Sequence, residues 1–99
     1  MTAIAGLVQD AWGYPVVGAR VQIWERSVLR ATVYTDEHGF YLWAYKYTGK
    51  PTTFTVKLPE FGMQITFAFK SNGIVVANFY LPSPDGSIPG RTEVFAKWL

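Results

Sequence analysis

Two stretches of the chain alternate strictly between apolar and polar residues. Phe54, Val56 and Leu58 interleave with Thr53, Thr55 and Lys57, and Met63, Ile65, Phe67 and Phe69 interleave with Gln64, Thr66, Ala68 and Lys70. A period of two places each apolar set on one face of a strand and leaves the other face to water. Two other stretches break that rule. In Phe40-Tyr41-Leu42-Trp43-Ala44-Tyr45 both faces are apolar or aromatic, and the same holds for Ile74-Val75-Val76-Ala77 and Phe79-Tyr80-Leu81. Such strands either set their Tyr and Trp side chains at a sandwich rim, wet at one end, or turn an apolar outer face toward a partner, another domain or the C-terminal segment.

Turn-forming residues punctuate these runs. They fall at Trp12-Gly13-Tyr14-Pro15, Glu37-His38-Gly39, Thr48-Gly49-Lys50-Pro51, Pro59-Glu60-Phe61-Gly62, Ser71-Asn72-Gly73 and Pro82-Ser83-Pro84-Asp85-Gly86. Short β-rich runs at that spacing predict an all-β sandwich or barrel, and no window holds a helical period. The expectation is a seven-stranded antiparallel β-sandwich, Ig-like in its Greek-key connections, with strands at roughly 2–10, 19–26, 29–36, 40–47, 52–58, 62–70 and 73–81. Asn72-Gly73 reads as the hairpin joining the last two, because a type I′ turn needs positive φ at both central positions. Asp36-x-x-Gly39 suits a type I turn.

After Leu81 the composition changes. Residues 1–82 read as the sandwich, 83–90 as a Pro/Gly linker and 91–99 as an amphipathic docking tail. As a strand, the tail places Thr92, Val94, Ala96 and Trp98 on one face. As a helix, it groups Val94, Phe95, Trp98 and Leu99 in one stripe. It either folds back on its own sandwich or docks on a neighbouring chain by strand addition or swapping.

At 99 residues the chain is long enough for one core. Apolar residues make up 49% and charged residues only 16%, so there is more apolar surface than a small monomer easily hides. The net charge of +2 and the scattered basic residues give no nucleic-acid footprint. No apolar run is long enough to span a membrane, and Met1-Thr2-Ala3-Ile4 opens no signal peptide. With no cysteine there is neither a disulfide nor a thiolate metal site, and the compartment stays open.

Candidate chemistry is thin. His38 is the single histidine and sits in a turn, so a histidine-rich metal site is excluded by count. Asp10 and Asp36 read as turn residues whose side chains bond nearby backbone amides, and no spacing pairs the carboxylates for acid–base work. No phosphate-binding glycine loop is present, and the serines have no partner base. No cofactor is expected, and the chain is not read as an enzyme. Aromatics are the one resource in excess: Trp12 and Tyr14 straddle Gly13, and Trp24 lies opposite Val21 and Ile23 on the wet face of the second strand. Flat exposed rings of this kind could stack on sugars.

The motif Gly6-x-Val8-x-Asp10-Ala11-Trp12-Gly13-Tyr14-Pro15-Val16-Val17-Gly18-Ala19-x-Val21, followed by Thr35-Asp36-Glu37-His38-Gly39-Phe40-Tyr41, resembles the opening of a carboxypeptidase regulatory-like domain. That group shares a transthyretin-like (prealbumin-like) sandwich and is related to the collagen-adhesin B-type repeats. The resemblance implies that Tyr41, Trp43 and Tyr45 point inward and Phe40, Leu42 and Ala44 outward. It also implies a non-catalytic module and favours an extracellular or cell-surface setting. The isopeptide cross-link of the adhesin repeats needs a first-strand Lys, which Thr2 to Asp10 does not supply.

The expected function is therefore a structural or assembly module. It would bind protein, either a second copy or an adjacent domain, through Phe40, Leu42, Val94, Phe95, Trp98 and Leu99. The alternative is a carbohydrate-binding accessory module using Trp12, Tyr14 and Trp24.

Overall fold

The computed structural model describes residues 2–99, and the strands it contains are β1 (Ala3–Gln9), β2 (Arg20–Glu25), β3 (Val28–Tyr34), β4 (Phe40–Ala44), β5 (Thr52–Leu58), β6 (Met63–Phe69), β7 (Gly73–Tyr80) and β8 (Arg91–Trp98). They form two four-stranded sheets, ordered β4-β1-β7-β8 and β3-β2-β5-β6, stacked as a β-sandwich. All pairs are antiparallel except β1 with β7, which run parallel.

The described residues form eight strands where the sequence predicts seven. The eighth is segment 91–98, which pairs along the whole of β7 from Gly73↔Trp98 to Tyr80↔Arg91. Its alternation is masked because Phe95 lies on the otherwise polar face. The expected hairpin at Asn72-Gly73 is also corrected. β6 and β7 belong to different sheets, so the chain crosses the sandwich at this point. The Asn72 side chain accepts the Thr2 hydroxyl at 2.9 Å, and its carbonyl accepts the Leu99 N–H at 2.7 Å. Gly73 is needed for space: a Cβ there would strike the Lys97 carbonyl.

The core lies between the sheets. Phe54, Phe69, Phe79, Ile4, Ile23, Leu58 and four valines are fully buried, each contributing roughly 1.5–3 kcal/mol over exposure. Tyr45, Phe54 and Phe69 pack edge to face with centroids 5.0, 5.4 and 5.7 Å apart, the arrangement aromatic quadrupoles prefer. Trp98 closes this cluster, its ring 5.3 Å from Phe69. At the opposite edge the Arg30 guanidinium sits 5.6 Å from the Tyr45 ring and 5.7 Å from that of Trp43.

The turns are built as their residues dictate. Asp10 accepts the N–H groups of Trp12 and Tyr14, both at 2.9 Å. Asp36 accepts those of His38 and Phe40 at 2.8 and 2.9 Å, and the Gly39 N–H returns to the Asp36 carbonyl at 3.0 Å. Gly39 has φ of 79°, in the left-handed region that only glycine enters without cost.

Candidate site: the outer face of the β4-β1-β7-β8 sheet

Strand pairing assembles apolar side chains into rows across this sheet. Ala5 lies between Leu42 of β4 and Val76 of β7, and Val76 pairs with Phe95 of β8. One apolar row therefore runs from edge to edge: Leu42, Ala5, Val76, Phe95. A neighbouring row holds Ala44, Ala3, Ile74 and Lys97. Leu7 pairs with Phe40 to extend the patch at the β4 edge. Phe40, Leu42 and Phe95 are 51%, 56% and 57% exposed. Their partners Tyr41 and Tyr45 are buried and Trp43 is half-buried, which is the inward–outward phase expected for β4.

A polar corner borders the patch. The parallel ladder between β1 and β7 is interrupted where Gly6-Leu7 meets Ala77-Asn78, and two side chains replace the missing backbone partners. On the inner side, the Tyr41 hydroxyl donates to the Ala77 carbonyl at 2.6 Å. On the outer side, the Asn78 Oδ1 accepts the Leu7 N–H at 3.0 Å. Asn78 then donates through Nδ2 to Glu93 at 3.4 Å, and Glu93 also accepts the Tyr80 hydroxyl at 2.6 Å. Arg91 completes the group, 3.3 Å from Glu93 and stacked over the Tyr80 ring at 3.9 Å. The Tyr80 hydrogen bond, chiefly, holds the Glu93 carboxyl below its ordinary range, and the same bond raises the Tyr80 hydroxyl.

The six candidate partner-binding residues do not share one surface. Phe40, Leu42 and Phe95 lie on the outer face. Val94 and Trp98 project from the other side of β8, toward the sandwich interior. Trp98 packs on Phe69, whereas Val94 remains 47% exposed. Leu99 follows the strand and is exposed. Ala5, Leu7 and Val76 complete the patch but are not among the sequence candidates. Their signal was the two-faced apolar character of β7, together with a β1–β7 pairing that no local pattern announces.

The candidate sugar-binding residues are also divided. Trp12 and Tyr14, 62% and 68% exposed, project from the Asp10 turn at one end of the sandwich. Trp24 lies on the outer face of the second sheet. There its ring is covered by the Lys57 ammonium at 4.7 Å, and its N–H is held by Gln22 at 3.2 Å. Beside the Asp10 turn is an open cavity of about 200 Å³ lined by Gln9, Asp10, Tyr80, Ile88, Pro89 and Arg91, among others.

Segment 83–90 is compactly folded. Ser83 is buried and its N–H donates to the Ile88 carbonyl at 2.9 Å. The Asp85 carboxylate accepts the Ser87 N–H at 3.0 Å and the hydroxyls of Ser87 and Ser83 at 2.7 and 2.8 Å. The Ser87 backbone bond, followed by these hydroxyls, lowers the Asp85 pKa to about 2. Asp10, Asp36 and Asp85 thus each hold a turn together.

Compared with models of known families, with curated proteins and with solved structures, the chain has no match.

Proposed function

We propose that this chain is a non-catalytic structural or assembly module that contacts protein through the outer face of β4-β1-β7-β8 and through β8. The observation that carries this reading is the apolar row Leu42–Ala5–Val76–Phe95, which crosses the whole sheet with its terminal side chains in water. Contiguous apolar patches on soluble domains commonly mark interaction sites. A flat sheet face offers no cleft for catalysis, and the aspartates of the turns are committed to backbone N–H groups.

The likeness to a carboxypeptidase regulatory-like, transthyretin-like domain is part of the proposal. Its support is local. Gly6, Gly39 and the Asp36 turn stand where the motif requires close approach and reversal, and the inward phase of Tyr41 and Tyr45 agrees. The cell-surface setting follows from that likeness alone.

The test is solution mass by light scattering across a concentration series, for the wild type and for Leu42→Glu. Leu42 is exposed, so the charge enters without disturbing the core. The expected result is a wild-type oligomer whose mass Leu42→Glu lowers; Leu42 lies on β4, the edge of the sheet opposite β8, so this variant reads the face contact. A monodisperse monomer, identical in both proteins, removes the reading.

A second reading is carbohydrate binding at the Asp10 end, favoured by the exposed Trp12 and Tyr14 beside the open cavity. It expects tryptophan fluorescence to change on titration with polysaccharide and the change to vanish in Trp12→Ala. A flat response across a glycan panel excludes it.

A further inference from the structure

β8 is an eight-residue edge strand with no proline, and its register against β7 runs without a bulge. Natural edges of this length are usually blunted, because their unpaired N–H and C=O groups template pairing with another chain. The direction of these groups follows from the ladder. The Leu99 N–H points to Asn72, the residue before β7, and antiparallel hydrogen-bonded residues alternate. Arg91, Glu93, Phe95 and Lys97 therefore turn their backbone groups toward β7, whereas Thr92, Val94, Ala96 and Trp98 turn theirs to the free edge.

We infer that two copies of this chain pair antiparallel through β8, in the register that sets Phe95 against Phe95 of the second copy. This rests on the assembly reading above and names its partner. The two-fold axis that joins two such edges stands perpendicular to the sheet, so outer-face residues oppose outer-face residues. That leaves few registers. Centring on Thr92 overlaps only residues 91–93 of the strand, and centring on Ala96 only 94–98, with Phe95 set against Lys97. Charge separates the others. Centring on Val94 sets Arg91 against the second copy's Lys97, and centring on Glu93 sets that carboxylate against itself. Centring on Phe95 places Glu93 opposite the second copy's Lys97, and the two-fold repeats the pair. Cross-strand opposite charges stabilise a sheet and like charges oppose it.

The same register suits the backbone and the apolar surface. Val94 faces the second copy's Ala96 in a hydrogen-bonded pair, so the free donors and acceptors meet one another. Val94 is about half exposed on the inner side of β8, and the pairing sets an apolar side chain beside it. On the outer face, the row Leu42–Ala5–Val76–Phe95 continues through the second copy's Phe95 into its own row. Among the described residues no other sheet edge offers this match: β4 and β6 carry no charged residue and β3 only Arg30.

The absence of cysteine allows a direct test. Opposed residues of a non-hydrogen-bonded antiparallel pair have Cα atoms about 4.5 Å apart, within reach of a disulfide. Phe95→Cys is expected to form a disulfide-linked dimer under mild oxidation, and Leu29→Cys, on the exposed β3 edge, is the control that does not. Lys97→Glu and Glu93→Lys, each alone, are expected to raise the dimer dissociation constant by roughly tenfold. Mixed together they should recover wild-type affinity, because every cross-strand pair in the mixed dimer is then complementary. Circular dichroism melts establish that each variant is folded. Leu42 stands at the far edge of the sheet, outside the paired β8 strands, so an edge-paired dimer persists in Leu42→Glu and still cross-links at position 95. A wild-type oligomer that neither cross-links at position 95 above the control nor responds to the charge variants, while Leu42→Glu lowers its mass, overturns edge pairing alone. A wild-type monomer indistinguishable from Leu42→Glu overturns both edge pairing and the assembly reading.

Discussion

The Tyr41 hydroxyl reaches across β1 to donate to the carbonyl of Ala77 on β7, 2.6 Å away. It can do so because Gly6 lies between them with no side chain, and a Cβ there would fall on the carbonyl itself. The carbonyl has no ladder partner at this point, so its hydrogen bond depends on one phenol. Tyr41→Phe leaves a buried acceptor unpaired and is expected to lower unfolding stability by about 1–3 kcal/mol. Gly6→Ala is expected to cost more, because two strands must separate. Urea denaturation of both variants checks the order, and a Tyr41→Phe midpoint equal to wild type would refute the dependence.

The same tyrosine predicts an alkaline limit. Burial pushes its ionisation well above the ordinary value of 10.0, since the phenolate is disfavoured away from water. A group whose folded pKa is raised contributes stability that is complete below its unfolded pKa. That contribution is lost as pH rises past the unfolded value toward the folded one. Stability is therefore expected to fall above about pH 10. Tyr80 is raised too, by its bond to Glu93, so Tyr80→Phe is the control. Urea midpoints measured from pH 8 to 11.5 should show a slope that Tyr41→Phe largely removes and Tyr80→Phe only reduces.

Acid acts on the turns in the opposite sense. The Ser87 N–H and the hydroxyls of Ser87 and Ser83 hold Asp85 at a pKa of about 2, and the Phe40 and His38 N–H groups lower that of Asp36. Depressed carboxylates contribute stability above their unfolded value of 3.8, and it is lost as pH falls toward the folded pKa. Between pH 4 and 2 the amide of Ser87 is expected to lose hydrogen-exchange protection. Asp85→Asn should lose it already at neutral pH. Protection unchanged down to pH 2 would show that the turn does not need the carboxylate.

The seven strands that sequence predicts are those whose periodicity or bounding turns follow from local chemistry. Val21 and Ile23, Phe54 to Leu58 and Met63 to Phe69 each declare a core face by alternation. Asp10 and Asp36 each declare a turn by the donors within reach. What local pattern does not carry is which strands become neighbours. The parallel meeting of β1 and β7 depends on Gly6 and Asn78, residues more than 70 positions apart. Asn72-Gly73 has the chemistry of a hairpin, but tertiary pairing of Asn72 with Thr2 and Leu99 makes it a crossover instead. The outer patch was half visible for the same reason: Phe40 and Leu42 stand out in their own strand, whereas Ala5 and Val76 join them only through pairing.

β8 gives the last prediction. Because it covers β7 along its length and sets Trp98 on Phe69, it is a structural strand as well as an exposed edge. Removing residues 91–99 strips the β7 ladder and opens the Tyr45–Phe54–Phe69 cluster. Trp98→Ala alone is expected to cost about 2–4 kcal/mol, near the lower part of the range for buried aromatics because Trp98 is only half-buried. The shortened chain should lose more, with cooperative unfolding replaced by a broad transition. Monomeric behaviour after truncation would therefore not locate an interface, and point substitutions at Lys97 and Phe95 are the sounder probes. Differential scanning calorimetry of Trp98→Ala and of residues 1–90 decides the matter: melting temperatures equal to wild type would mean that β8 lies on the sandwich without supporting it.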